Sequence, residues 1–536
     1  MFTSLVEGSL LAHSVISKLS QTHPCSSIAF PNVPGAKVLS VVGVERHNLS
    51  IPVNPWFRSS SPVSNLDICD VNVTLTHASE GDTVLVKLYL PLNITNWNGR
   101  FQAIGGGGYA VGNSGGTFGD SLATPAGEGF STGWSDGGHT NNPIDPSSWA
   151  LTSDGQVNNA LVANLATRSV HDLAVVGKAV SASYYGQKPA YSYYNGCSTG
   201  GRQGYMEAQK YPHDFDGILA MSPIIYWPTV VPAEYWAQLV MQEAGVFPTQ
   251  QEFMAFYSAA ISACDELDGV KDGIISSLNC PFDPATLLGT TVDVDGSSVN
   301  ITQTVVDIVK KTLDGPRNRE GKSLWYGILP GTPFAGVANT KTTNGSTTGV
   351  PFPISSSWFQ YFLQKNPEYD TTTMTYDEYL DFFTQSENEY TKFFGAEDPD
   401  LSSFKAAGGK LITWHGLSDP AIMPQATINY RKQVENTMGG SSAVNEFYRL
   451  FMAPGGVHCA PGVGPTPKTQ TAIEALVSWV EDGHAPDTLR ASTNENIGNV
   501  ITRDLCPYPL VARYNGTGDF HSPENFHCAK TFSSEP

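Results

Sequence analysis

Charge is what this chain has least of. Only 15% of its 536 residues are Asp, Glu, Lys or Arg, where an average soluble domain carries about a quarter. The shortage is sharpest on the basic side, 30 Lys and Arg against 50 Asp and Glu, for a formal net charge of -20. Phosphate backbones are bound by clustered guanidinium and ammonium groups, and no such cluster occurs, which argues against a nucleic-acid partner. Long hydrophobic runs are also missing: the longest apolar stretches are strand-sized, far short of a bilayer span, so no membrane partner is expected. Met1 to Ile16 lacks a charged start, a continuous apolar centre and a clear small-residue cleavage site, so it does not read as a secretory leader.

What is present reads as a folded enzyme-sized chain. Hydrophobic residues make up 40%, and the length suits one large domain with an insertion, or two domains. Eight cysteines, Cys25, Cys69, Cys197, Cys264, Cys280, Cys459, Cys506 and Cys528, form an even set compatible with disulfides and an oxidising compartment, although the count allows roughly a hundred pairings. Six glycosylation sequons, at Asn48, Asn72, Asn93, Asn300, Asn344 and Asn515, are about what chance gives in a chain this rich in Asn, Ser and Thr.

The rest is organised around Tyr191 to Gly204. Tyr191 to Tyr194 reads as a short buried strand, and Gly196-Cys197-Ser198-Thr199-Gly200 fits G-x-S-x-G, the tight strand-to-helix turn that exposes a serine hydroxyl for attack. Ser198 is the candidate nucleophile. A helix from about Gly201 to Lys210 would aim its positive end at that hydroxyl. Upstream, the strand Arg100 to Ile104 runs into four consecutive glycines, Gly105 to Gly108, then Tyr109. Such a run costs conformational entropy that a plain connection would not need. It suits an oxyanion loop, with the N–H of Gly106 or Gly107 as one donor and that of Thr199 as the other.

In chain order, a helix is expected over Leu10 to Leu19, then period-two strands at Val38 to Val44, Val71 to Leu75 and Val84 to Leu90. Cys25 and Cys69 could tie this arm to the sheet. Gly133 to His139 follows a short strand and would line the same edge, and Leu161 to Val180 has helical spacing. Ile218 to Met221 is a further buried strand, so the order of elements is that of a parallel α/β sheet. From about Ile224 to Phe404 the sheet pattern stops and aromatic pairs crowd in, such as Tyr226-Trp227, Tyr235-Trp236 and Trp358-Phe359. This reads as an insertion, 225–404, over the sheet's active edge, held together mainly by those aromatics. Within it, Asp265, Asp268 and Asp272 lie in a glycine-bent loop that a Cys264 to Cys280 bridge would pin, and the carbonyls of Val270 and Ile274 could complete a calcium shell. The sheet pattern returns after 404 with the strand Lys410 to Trp414, the helix Pro424 to Met438, the strand Glu446 to Phe451 and the helix Ile473 to Val480, before a tail in which Cys506 and Cys528 can pair.

Ser198, Asp419 and His458 occur in the order Ser, Asp, His, each just past an expected strand. A serine hydroxyl needs a neutral imidazole to take its proton, and a carboxylate to fix that imidazole's tautomer. Cys197 directly precedes the candidate nucleophile and Cys459 directly follows the candidate base. Pairing them would hold Ser198 and His458 together, because a disulfide needs its Cα atoms within roughly 7 Å.

These motifs resemble the fungal and bacterial tannase and feruloyl esterase family. The likeness rests on Gly196-Cys197-Ser198-Thr199-Gly200-Gly201, Ser418-Asp419-Pro420 and His458-Cys459, and extends to the glycine loop and the Cys264 to Cys280 loop. The resemblance implies an α/β-hydrolase core (1–224 and 405–536) under a lid domain (225–404) and a bridge between Cys197 and Cys459. It also implies secretion and a structural Ca²⁺ held by residues matching Asp265, Asp268, Val270, Asp272 and Ile274. The expected activity is hydrolysis of phenolic-acid esters, feruloyl first and galloyl second, on small molecules or on plant polysaccharides, by a chain that could form a homodimer. Two competitors are a catalytically silent carbohydrate-binding protein on the same fold and a peptidase.

Overall fold

The computed structural model describes residues 22–51, 62–78, 80–112, 121–139, 142–294, 296–494 and 500–530. The helix expected over Leu10 to Leu19 lies outside the described residues.

A nine-stranded mixed sheet carries the fold. Its strands are β1 (Ala36–Ile51), β2 (Val63–His77), β3 (Val84–Pro91), β4 (Arg100–Ile104), β5 (Ser131–Ser135), β6 (Tyr191–Cys197), β7 (Gly217–Met221), β8 (Lys410–Gly416) and β9 (Tyr448–Ala453). They lie in the order β1-β2-β3-β5-β4-β6-β7-β8-β9. The first three and β5 pair antiparallel, and from β5 to β9 every pair is parallel. The sequence gives the reason for the change. β2 alternates buried and half-buried positions, whereas β6, β7 and β8 are buried almost throughout, as strands covered on both faces must be.

Helices α1 (Ser169–Tyr185), α2 (Thr199–Lys210), α5 (Pro424–Met438) and α6 (Thr469–Asp482) belong to this core, while α3 (Trp227–Ala233) and α4 (Gln250–Cys264) lie in the segment between β7 and β8. The helical periodicity of Leu161 to Val180 is realised as a helix at Asn159–Ala163 that passes through a wide turn, Asn164–Arg168, into α1. The region Gly133 to His139 departs from expectation: Gly133 is inside β5, not after it. Its period-two signal is hidden because a Cβ there would meet the Leu88 side chain at 2.5 Å and that of Leu173 at 3.1 Å, so only glycine lets α1 and β3 close over the strand.

Among the described residues between Met221 and Lys410 no strand joins the large sheet. The segment holds helices and two small hairpins, Thr291–Val294 with Ser297–Asn300 and Thr340–Thr343 with Ser346–Gly349. Most of its aromatics are core, as expected, with Trp325 and Tyr326 half-buried. Trp227, Tyr235, Trp358, Phe359 and Phe362 are buried, and Trp358 stacks on Phe362 at 4.6 Å and meets Trp227 edge-on at 6.0 Å. Four disulfides join Cys25 to Cys69, Cys197 to Cys459, Cys264 to Cys280 and Cys506 to Cys528. No described helix is long and apolar enough to cross a membrane.

Five of the six sequon asparagines are exposed. Asn72 is not: it sits mid-strand in β2 opposite Val42 and Lys87, half-buried, with its Oδ1 enclosed.

Candidate active site

Ser198, Asp419 and His458 come off the carboxyl ends of β6, β8 and β9, the end of an open parallel sheet where ligands bind. Ser198 caps α2 with φ 63° and ψ -120°, a strained turn that holds the side chain clear of strand and helix. The surrounding glycines are required by close approach. A Cβ on Gly196 would meet Gly200 C at 2.6 Å, one on Gly200 would meet Gly106 O at 2.8 Å, and one on Gly201 would meet Met221 O at 2.6 Å. The turn is tied to its neighbours through Ser198 N–H to Met221 O, 3.0 Å, and Gly200 N–H to Gly106 O, 3.1 Å.

The Asp and His loops are fastened to each other. Leu417 N–H donates to Ala453 O and Ser418 N–H to Gly456 O, both at 2.9 Å. His458 Nδ1 lies 2.8 Å from Asp419 Oδ2, while Asp419 Oδ1 accepts the N–H groups of Ala421 and Ile422 at 2.9 and 3.0 Å. Burial alone would raise the Asp419 carboxyl, but the charge of His458 and hydrogen bonds from His415 and His458 outweigh it and hold the group far below the usual carboxylate range. Burial likewise pulls His458 down, and the Asp419 charge and hydrogen bond more than reverse this, so the imidazole is raised. The bridge between Cys197 and Cys459, with Cα atoms 6.0 Å apart, joins the residue before Ser198 to the residue after His458 across 262 residues of sequence. No hydrogen bond joins the Ser198 hydroxyl to His458 in this conformation, which is common in sites without substrate.

The glycine loop separates its two candidate donors. Gly106 N–H donates to Gln203 Oε1 at 3.3 Å, and Gln203 also donates to Val111 O at 3.1 Å and accepts from the Tyr194 hydroxyl at 3.1 Å. Among the described residues the Gly107 N–H has no acceptor, and the space beside its Cα is open to 4 Å, whereas a Cβ on Gly105, Gly106 or Gly108 would strike an atom at about 2 Å. The Thr199 hydroxyl donates to Gly108 O at 2.8 Å, pinning the loop to the elbow.

Three residues here carry no motif in the sequence. Gln203 is one. His415, fully buried in β8, places Nε2 3.1 Å from both Asp419 Oδ2 and Ile422 O, with Nδ1 2.8 Å from Thr427 Oγ1. The only sequence signal was its position four residues before Asp419 at a strand end. Glu234, just after α3, is 2% exposed and its Oε2 has no hydrogen-bond partner among the described residues. Burial and the charge of Asp419 push its carboxyl well above the usual range.

The acidic loop is a separate unit. Asp265 Oδ1 accepts the N–H groups of Asp272, Gly273 and Ile274 at 3.1, 2.9 and 3.3 Å. Asp268 accepts from Val270 N–H at 3.1 Å and from the Ser276 hydroxyl at 2.8 Å. Asp272 Oδ2 meets Arg503 Nη2 at 2.7 Å. Burial and the charge of Asp268 push Asp272 up to about 6. Among the described residues no three acidic, His or Cys side chains converge as a metal cluster. The donor set, oxygen only and three carboxylates against one guanidinium, still suits a hard cation.

A profile described as tannase and feruloyl esterase matches residues 69–529. The chain belongs to that family. It is accordingly a carboxylic ester hydrolase with an α/β-hydrolase fold. It is 47% identical over 521 residues to a protein named probable feruloyl esterase from Arthroderma benhamiae, covering 96% of this chain and 95% of that one. Probable feruloyl esterase B-1 of Aspergillus oryzae is 30% identical, with 93% and 91% covered. Among solved structures, tannin acyl hydrolase from Aspergillus niger superposes with a TM-score of 0.84 at 26% identity, over 95% of this chain and 94% of that one. Feruloyl esterase B from Aspergillus oryzae gives 0.76 at 30% identity, over 93% and 97%.

Proposed function

We propose that this esterase cleaves phenolic-acid esters, feruloyl esters first, through an acyl-enzyme on Ser198. The observation that carries the reading is the Asp419 carboxylate, buried and 2.8 Å from His458 Nδ1, with the residue before Ser198 bridged to the residue after His458. Asp419 holds the tautomer in which Nδ1 carries hydrogen, leaving Nε2 to take the Ser198 proton as the oxygen attacks the ester carbonyl. The N–H groups of Gly107 and Thr199 stabilise the resulting oxyanion, each worth roughly 10²–10³ in rate. The imidazolium then protonates the departing alcohol, and a water activated by the same histidine releases the acid. Because the base must be neutral, kcat/KM falls on the acid side as His458 takes a second proton.

The segment 225–404 acts as a lid over the acyl pocket. Its acidic loop holds a structural Ca²⁺ through Asp265, Asp268 and Asp272 and the carbonyls of Val270 and Ile274, where the ion would neutralise carboxylates otherwise balanced only by Arg503. The disulfides and the exposed sequons at Asn48, Asn93, Asn300, Asn344 and Asn515 suit a secreted glycoprotein. A polysaccharide-linked substrate fits that setting.

A galloyl ester is the second reading, favoured by the higher structural score of the tannin acyl hydrolase. Hydrolysis of methyl ferulate and methyl gallate, side by side with Ser198→Ala as the blank, separates the two. Faster turnover of methyl ferulate, lost in the variant, is the expected result. Faster turnover of methyl gallate would move the assignment to the galloyl branch, and turnover that survives in the variant would remove Ser198 from the mechanism.

A further inference from the structure

Asp419 accepts four hydrogen bonds, which fills the capacity of a carboxylate. Two come from backbone N–H groups and one from His458. The fourth comes from His415, on the same oxygen, Oδ2, that His458 uses. The proton on His415 can be assigned from geometry. Nε2 faces two acceptors at 3.1 Å, Asp419 Oδ2 and Ile422 O, so Nε2 is the donor whatever the Thr427 hydroxyl does at Nδ1. His415 also closes a ring, since Ile422, whose carbonyl it binds, donates its own N–H to Asp419 Oδ1.

We propose that His415 is a positioning residue that locks the Asp419 carboxylate in its loop and, by sharing Oδ2, tempers how strongly that oxygen supports His458. Thr427, on the first turn of α5, orients the ring from the other side. The inference rests on the roles given above to Asp419 and His458. The ionisable groups facing this centre are Asp419 and His458 themselves and Glu234 from the segment between β7 and β8, whose carboxyl is pushed well above the usual range by burial and by the charge of Asp419. Nothing in the reaction needs His415 to give up a proton.

Two consequences have definite signs. Loss of the His415 donor frees the carboxylate rotamer, which lowers kcat more than it changes KM. It also leaves Oδ2 wholly to His458, which stabilises the imidazolium, so the acid limb of kcat/KM moves to higher pH.

The test compares His415→Leu, His415→Gln and Thr427→Val with the unaltered enzyme on a soluble phenolic ester across pH. In His415→Leu, kcat should fall roughly 10- to 100-fold, the loss of one hydrogen bond to a charged group, with the acid limb displaced upward. His415→Gln, which can return an N–H to Oδ2, should recover much of kcat and bring the limb back. Thr427→Val should move the limb in the same direction by less, and it decides the matter if His415→Leu does not fold. An unmoved acid limb in every folded variant, whatever happens to kcat, would reduce His415 to packing and overturn the proposal. That failure is distinct from failure of the triad, which Ser198→Ala reads separately.

Discussion

Ser198 illustrates how little freedom the catalytic turn has. Its positive-φ backbone is made possible by neighbours without side chains, and Gly201 is a sharp test because the nearest atoms it would strike, Met221 O at 2.6 Å and Pro223 Cα at 2.9 Å, are backbone on the neighbouring strand's end. Gly201→Ala must push α2 off β7, which moves the serine. We expect a drop in kcat of roughly 10²-fold, the scale of a misplacement of about 1 Å at a reacting atom, with a lowered melting temperature; steady-state kinetics and a thermal scan check both. The motif made this turn legible in the sequence. The donor in the proposed oxyanion loop was legible only as an alternative, Gly106 or Gly107, since nothing in a run of glycines tells which N–H is already engaged. Gln203, far along the chain, accepts the Gly106 N–H, while among the described residues the Gly107 N–H has no acceptor. His415 escaped notice because the expected strand ends at Trp414, and nothing local shows that the next ring turns onto the Asp419 carboxylate.

At the scale of elements, the sheet and its loops were largely readable from alternation and from strand-to-loop order, and the stretch that adds no strand to the sheet from the loss of both. What local pattern could not give was contact across the chain. The exception is the bridge between Cys197 and Cys459, whose adjacency to Ser198 and His458 carried long-range information. The two loops it joins hang from different strands, β6 and β9, separated in the sheet by β7 and β8. Replacing both cysteines by alanine should therefore lower kcat by about 10-fold or more through loss of register. It should also cost about 2–5 kcal/mol of stability, as removal of a native disulfide does. Equal kcat in the double variant, measured well below its melting temperature, would show that the loop hydrogen bonds suffice alone.

For the whole molecule, the buried acidic loop links parts that the sequence keeps far apart. Asp272 belongs to the insertion and Arg503 to the tail hairpin Leu489–Ser492 with Thr502–Leu505. If Ca²⁺ occupies the loop, exhaustive chelation should lower the melting temperature by several degrees, as loss of a ligand bound only to the native state does, and readdition should restore it. An unchanged transition after chelation counts against the ion. The sequence made the carboxylates and the bridging Cys264 and Cys280 visible, but not Arg503, because neither charge nor spacing marks one arginine in a tail as the partner of a loop 231 residues earlier.

The Arg503 pair also bears on how such enzymes diversify. Both of its side chains are buried, and the tail strand that carries Arg503 is fixed to the chain end by the Cys506 to Cys528 bridge. An insertion transplanted from a relative without its matching tail would arrive with Asp272 buried and without its guanidinium partner, a heavy cost. The exchangeable unit in recombination between relatives is thus discontinuous, the insertion together with the carboxyl-terminal hairpins, while the sheet between them stays as host.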